Sequence, residues 1–232
     1  TNPLQMAFSL EGNILNGNLV CFIILQTLII QIPLLVALVT GDLISGEAAM
    51  GTIRLIATRP VSRTRLLMSK FLAGALYVMM LLLWLGVLSL GLGLLFFGHG
   101  DLIVLKSEEL IIIQSDDTFW RFMSAFGVAF LSLLVVASFS LMLSCFAENS
   151  IGPIISTMAV IILFTIIGTM EIPFFDLIKP YLFTTHMVIW RNFFDNPLPV
   201  EQIRESLLIL AAHVILFLSV SVYTFNKKDI LS

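Results

Sequence analysis

The chain has 232 residues, of which 59% are hydrophobic and 12% charged, and its mean hydropathy is +1.05. Soluble globular domains carry about half apolar and about a quarter charged residues, so the composition excludes a water-soluble domain and leaves a polytopic, all-α membrane protein. The formal net charge of −3 says less than the placement of the charges.

Five apolar runs are long enough to cross about 30 Å of hydrocarbon: residues 19–40, 66–97, 122–146, 151–170 and 206–225. They form one transmembrane domain over residues 1–232. Pro33 falls in the first run, where it can kink a helix. The second run is longer than one crossing needs, so its Lys70 end is expected to project from the membrane or its helix to tilt. Gly86, Ser89, Gly91 and Gly93 lie in its far half. Ser89 and Gly93 make a small-xxx-small pair of the kind that lets helix backbones approach in lipid, which reads as ordinary packing between helices. Cys21 and Cys145 sit in or beside apolar runs at unrelated positions and form neither a disulfide framework nor a metal-ligand pattern.

Between the first two runs lies a charged interruption rich in basic residues, GDLISGEAAMGTIRLIATRPVSRTRLLMSK, residues 41–70. It holds Arg54, Arg59, Arg63, Arg65 and Lys70, five of the twelve basic residues. Such clustering marks a cytoplasmic segment. The same side then receives the turn 147–150 and the tail 226–232, with Lys227 and Lys228. Five spans with a cytoplasmic C-terminus put the N-terminus outside, and no initiator Met precedes Thr1. A further span before Thr1 is therefore expected, making six. On the outer side, 98–118 reads as a short acidic loop with an apolar patch at Leu110–Ile113. The segment 171–204 is rich in Pro (Pro173, Pro180, Pro197, Pro199) and in aromatics such as Tyr181, Trp190 and Phe194. It suits short helices lying in, or dipping back from, the outer interface.

Catalytic signatures are missing. There is no H-E-x-x-H, C-x-x-C or G-x-S-x-G pattern and no intramembrane aspartate pair. His99, His186 and His213 are scattered. His213, inside the fifth run, reads as a buried histidine hydrogen-bonded to a neighbouring helix rather than as a proton carrier. The runs carry no Lys, Arg, Asp or Glu near their middles, which removes the ion-coupling groups of a secondary transporter. No phosphate-binding G-x-x-x-x-G-K-[ST] loop occurs. Energy for uphill transport would have to come from another chain.

Within 41–70, Gly41 or Ser45 is placed to start a short helix with Glu47 in its first turn, favourable with the helix dipole. Arg59-Pro60 should end it, and Ser62 should cap the helix that runs through Lys70. The pattern G-E-x-x-x-G-T over residues 46–52, then R-P-V-S-R over 59–63 and Lys70, resembles the cytoplasmic segment of type-two ABC transporter permeases. The tail F-N-K-K-D-I, residues 225–230, is similar to an ending common in that family. The resemblance implies a membrane subunit of an ATP-driven exporter in a bacterial inner membrane. Its cytoplasmic coupling helix, in residues 41–65, would dock on a separate ATPase. It further implies that Glu47, Gly51, Thr52 and Arg54 form the docking and hinge region, with Pro60, Arg63 and Lys70 leading into the next span. Expected partners are nucleotide-binding ATPase subunits, a second or related permease and membrane lipid, with no nucleic acid, metal or cofactor. The uncharged spans lean toward an amphiphilic or lipidic cargo. The rival reading is a non-transporting membrane anchor or scaffold subunit.

Overall fold

In the computed structural model, residues 15–28, 31–52, 62–105 and 110–227 are described. The chain runs from α1 (Gly17–Thr27) and α2 (Gln31–Ala49) to α3 (Arg63–Gly86). A π-helical turn, Val87–Leu92, carries α3 into α4 (Gly93–Phe97). An antiparallel hairpin follows, β1 (Leu102–Leu105) with β2 (Leu110–Ile113), in the register Leu102↔Ile113 and Val104↔Ile111. Next come the long α5 (Ser115–Phe146) and α6 (Ile151–Thr169). Four short pieces follow: α7 (Pro173–Asp176), a 3-10 turn at Lys179–Tyr181, α8 (Phe183–Met187) and a second 3-10 turn at Ile189–Phe194. The last element is α9 (Val200–Lys227). Among the described residues, five helices are long and apolar enough to cross a membrane: Gln31–Ala49, Arg63–Phe97, Ser115–Phe146, Ile151–Thr169 and Val200–Lys227.

Three expectations are corrected here. Residues 19–40 are not one helix. Pro33 has no N–H to offer the carbonyl of residue 29, and its ring would collide with that carbonyl. The first helix accordingly ends at Thr27 with Leu28 as its C-cap, and Pro33 sits in the first turn of α2, where no N–H is needed. At its other end α2 runs past Gly41 and Ser45, so no new helix starts at either. Their smallness serves contact instead. A Cβ at Gly41 would lie 2.8 Å from the Ser140 hydroxyl of α5, and the backbone N–H of Ser45 donates to Ser144 Oγ at 2.9 Å. Finally, 98–118 is not only a loop. Its apolar patch is strand β2, and α5 begins at Ser115, with Asp116 and Asp117 in a first turn that favours acidic side chains.

Helix α5 is central, with α2, α3, α6 and α9 against it. Its small residues Ala137, Ser138, Ser140 and Ser144 are buried. Lipid supplies no hydrophobic drive between helices, so close backbone approach and hydrogen bonds decide how they associate. The small pair on the second span does this. Gly93 lies against Gly17 of α1, where a Cβ on Gly17 would come within 2.5 Å of the Gly93 backbone. Ser89 accepts from Cys21 Sγ at 3.3 Å and donates to its own-helix carbonyl of Leu85 at 2.6 Å. In a π turn the backbone N–H groups reach one residue further back, and the Ser89 hydroxyl occupies the Leu85 carbonyl there.

The hairpin end of the bundle is closed by apolar side chains of β1, β2, α1, α5 and the Ile189–Phe194 turn. Phe194 is buried edge-on to Phe22 and Phe122, with ring centroids 5.0 and 4.9 Å apart. One cation holds this cap in place. Arg121 of α5, 7% exposed, donates through Nε to Asp117 at 2.8 Å and through its NH1 nitrogen to the carbonyls of Phe193 and Asp195 at 2.9 and 2.8 Å. His213 is a fourth correction: its Nδ1 bonds the Ile209 carbonyl of its own helix at 2.8 Å. Phe183 and Phe217 flank its ring, which leaves the imidazole inside an aromatic cluster rather than on a neighbouring backbone.

Candidate functional site

At the opposite end, the C-termini of α2 and α9 meet the N-terminus of α3. Ser62 starts α3 as its N-cap, its hydroxyl accepting from Arg65 N at 3.3 Å. That satisfies one of the N–H groups a helix start leaves open. From this start α3 reaches both neighbours. Arg63 donates through NH1 to the carbonyls of Phe225 and Asn226, at 3.4 and 3.3 Å. Those are among the last carbonyls of α9, where the helix dipole favours a cation. Asn226 returns the contact by donating to Thr64 Oγ1 at 3.1 Å.

Two turns further along α3, Lys70 pairs with Glu47 Oε1 of α2. The two side chains are 22% and 19% exposed, so the pair is largely withdrawn from water. Glu47 therefore stands in the last turn of α2, not in the first turn of a new helix. A carboxylate there opposes the helix dipole, and Lys70 supplies the offsetting charge. Its second oxygen, Oε2, is buried and makes no hydrogen bond among the described residues.

The chain then turns away. Gly51 adopts φ +70, left-handed geometry that costs a residue with a Cβ roughly 1–2 kcal/mol, and its N–H reaches Ala48 O at 3.0 Å. Thr52 Oγ1 donates to the Glu47 carbonyl at 3.2 Å, occupying one of the acceptors left open at the end of α2. Met50 projects at the tip, 71% exposed.

The structure thus brings Glu47, Thr52 and Lys70 into one contact set with Gly51 as its turn, and aims Arg63 at α9 instead. Arg54 and Pro60, with the rest of 53–61, lie outside the described residues. Sequence reasoning placed Glu47 in the docking and hinge region implied by the resemblance, and the structure pairs it with Lys70. It passed over Met50, although an exposed methionine between Glu47 and a turn glycine is the signal that would have found it. Arg121 carries no local signal in the sequence beyond Asp117 four positions before it, because its carbonyl acceptors lie more than seventy residues away.

Five membrane-length helices among the described residues, α5 and four against it, with a charged junction at one end, make this a multi-pass helical membrane protein. The chain belongs to the family described as "Protein of unknown function (DUF2705)", whose pattern matches residues 2–231. It is also similar to "Uncharacterized protein YhcI" of Bacillus subtilis (strain 168), with 28% identity over 200 residues. That match covers 83% of this chain and 63% of the relative, so the chain spans less than two thirds of that protein's length.

Proposed function

We propose that the chain is the membrane subunit of a type-two ABC transporter, most simply an exporter. Two copies, or one with a related permease, would work with separate ATPase subunits at the bacterial inner membrane. One observation carries this reading: the described ends of the segment that resembles the family's docking region are both anchored at the junction. Glu47–Lys70 ties its departure to α3, and Ser62 and Arg63 fix its return. A push on an exposed tip at Met50 would reach α2 and α3 together, which is what a passive anchor does not require.

In this reading the ATPases sit on the cytoplasmic side with the tail 226–232. Contact is made by the tip Ala49–Thr52 and by Arg54, while Glu47 and Lys70 hold the tip's geometry. The chain itself performs no catalysis and holds no cofactor. The test is co-purification of the chain with an ATPase carrying a phosphate-binding loop, encoded beside it. Met50→Asp should abolish capture while the helical circular dichroism and the elution volume of the permease are unchanged. Capture that survives both Met50→Asp and deletion of Ala48–Thr52 would overturn the proposal.

A further inference from the structure

We propose that the groove between α3 and the C-terminal half of α9 is a binding site for one anionic phospholipid of the adjoining leaflet. The groove has a volume of about 730 Å³, within the roughly 300–1,000 Å³ of small-molecule sites. Its walls are Met68 of α3 and Ile215, Leu218, Ser219 and Val222 of α9, apolar but for one hydroxyl. Its mouth is polar, formed by Tyr223, Asn226 and Lys227. This graded chemistry fits an acyl chain below and a charged headgroup above.

Depth agrees with that assignment. The apolar part of α9, residues 206–225, is about 30 Å long at 1.5 Å per residue, one hydrocarbon thickness. Ile215 therefore lies near the bilayer midplane and Lys227 at its surface. The groove between them rises roughly 18 Å, the reach of a single leaflet.

The charge at the mouth is arranged to receive an anion. Lys227 is folded back over the Tyr223 ring, its Nζ 4.4 Å from the centroid and donating to the phenol oxygen at 2.5 Å. An ammonium has three donors, so two remain for phosphate oxygens, and Lys227 meets no carboxylate among the described residues. Arg63, on the carbonyls of Phe225 and Asn226, adds positive potential at the same end. A zwitterionic headgroup would bring its own cation to that mouth and gain less. The site stands on the membrane-spanning fold and not on the transporter reading.

The experiment is native mass spectrometry of the detergent-solubilised full chain after addition of equimolar phosphatidylglycerol and phosphatidylcholine with identical acyl chains. Wild type should retain one phosphatidylglycerol in preference by roughly fivefold or more, the effect of one lysine at an anionic surface. Lys227→Gln should remove the preference while keeping weak retention of both lipids. Ser219→Phe, which fills the groove, should lose both. Should that variant fail to fold, Lys227→Gln decides alone. Equal retention of the two lipids by wild type would overturn the proposal, as would a preference that persists in Lys227→Gln. Displacement by millimolar glycerol phosphate would do so too, since it would show a bare anion site.

Discussion

Lys70→Met is expected to destabilise the junction more than Glu47→Gln, although both break the same ion pair. The reason is geometric. Removing Lys70 strands a carboxylate that is 19% exposed and whose Oε2 already lacks a partner among the described residues. Breaking a buried pair from one side costs roughly 3–5 kcal/mol, and the residual exposure here lowers that to about 2–3 kcal/mol. The stranded charge also sits at the unfavourable end of the α2 dipole, adding up to about 1 kcal/mol. Glu47→Gln behaves differently. It removes the charge that opposes the dipole, keeps a carbonyl acceptor for Lys70, and leaves a lysine whose long stem lets the ammonium reach water. Its cost should be about 1 kcal/mol. The double variant holds no charge at all and should lose about 1 kcal/mol, giving a coupling of about 2–4 kcal/mol. The assay is a double-mutant cycle by equilibrium unfolding in mixed micelles, followed by far-ultraviolet circular dichroism. Costs that add to within about 0.5 kcal/mol would refute the reasoning, as would a Glu47→Gln cost above that of Lys70→Met.

Gly17→Ala should be the most damaging single methyl in the chain. The new Cβ would lie 2.5 Å from the backbone of Gly93, and backbone atoms cannot swing aside as a side chain can, so a loss at or above the usual 1–3 kcal/mol of overpacking is expected. Thermal unfolding in detergent measures it, and Gly127→Ala, where nothing lies within 4 Å, is the matched control. Arg121→Met should cost about 2–4 kcal/mol by leaving the carbonyls of Phe193 and Asp195 without their charged donor. Hydrogen exchange should show the loss as faster exchange in 189–195, with α9 beyond Leu210 unaffected. Gly51→Ala should cost roughly 1 kcal/mol from its left-handed backbone. Gly51→Asn should cost less, because asparagine tolerates that geometry, and the same unfolding assay ranks the two.

Much of the architecture was legible because lipid is a severe solvent. A helix that crosses it must be long, apolar and free of charge at its centre, and the runs at 66–97, 151–170 and 206–225 could be little else. Small residues at close approach were equally readable: Ser89 and Gly93 were singled out, and both meet α1. Boundaries were harder. Pro33 in an apolar run is compatible with a kinked span or with two helices, and only packing chooses between them. Gly41 and Ser45 look like helix starters, yet here their small size lets α5 approach, a use that depends on Ser140 and Ser144 roughly a hundred residues away. The hairpin was hidden because four apolar residues at 110–113 carry no alternation to distinguish a strand from a loop patch. In the junction, chain order showed which residues gather but not which way they face. The pairing of Glu47 with Lys70 across 23 positions is a fact of three dimensions.

Both ends of the bundle have an apolar cluster, but their outer contacts differ, and the difference bears on how it would work. At the hairpin end, Phe22, Phe122, Trp190 and Phe194 interlock around a buried arginine. Such packing is discrete, and it resists small displacement because every ring fills its neighbour's space. At the junction, α3 packs on α2, α5 and α9 through the apolar cluster of Ile44, Leu67, Leu141, Cys145 and Phe225, and outside that cluster the described contacts are polar: the Glu47–Lys70 pair, two long hydrogen bonds from Arg63 to carbonyls and Asn226 on Thr64. The solvent-facing bonds of Arg63 and Asn226 can be exchanged for water or for a partner's groups at modest cost, since polar contacts near a surface contribute little net free energy, while the Glu47–Lys70 pair is the costlier one to open. Motion driven from outside would therefore begin at the junction and turn about the aromatic end. On the proposed transporter reading, that places the yielding contacts beside the docking tip and the pivot on the far side of the membrane. Hydrogen exchange offers a direct comparison: α3 residues 63–70 should open faster than the Phe119–Val128 segment of α5, and the reverse order would contradict the pivot.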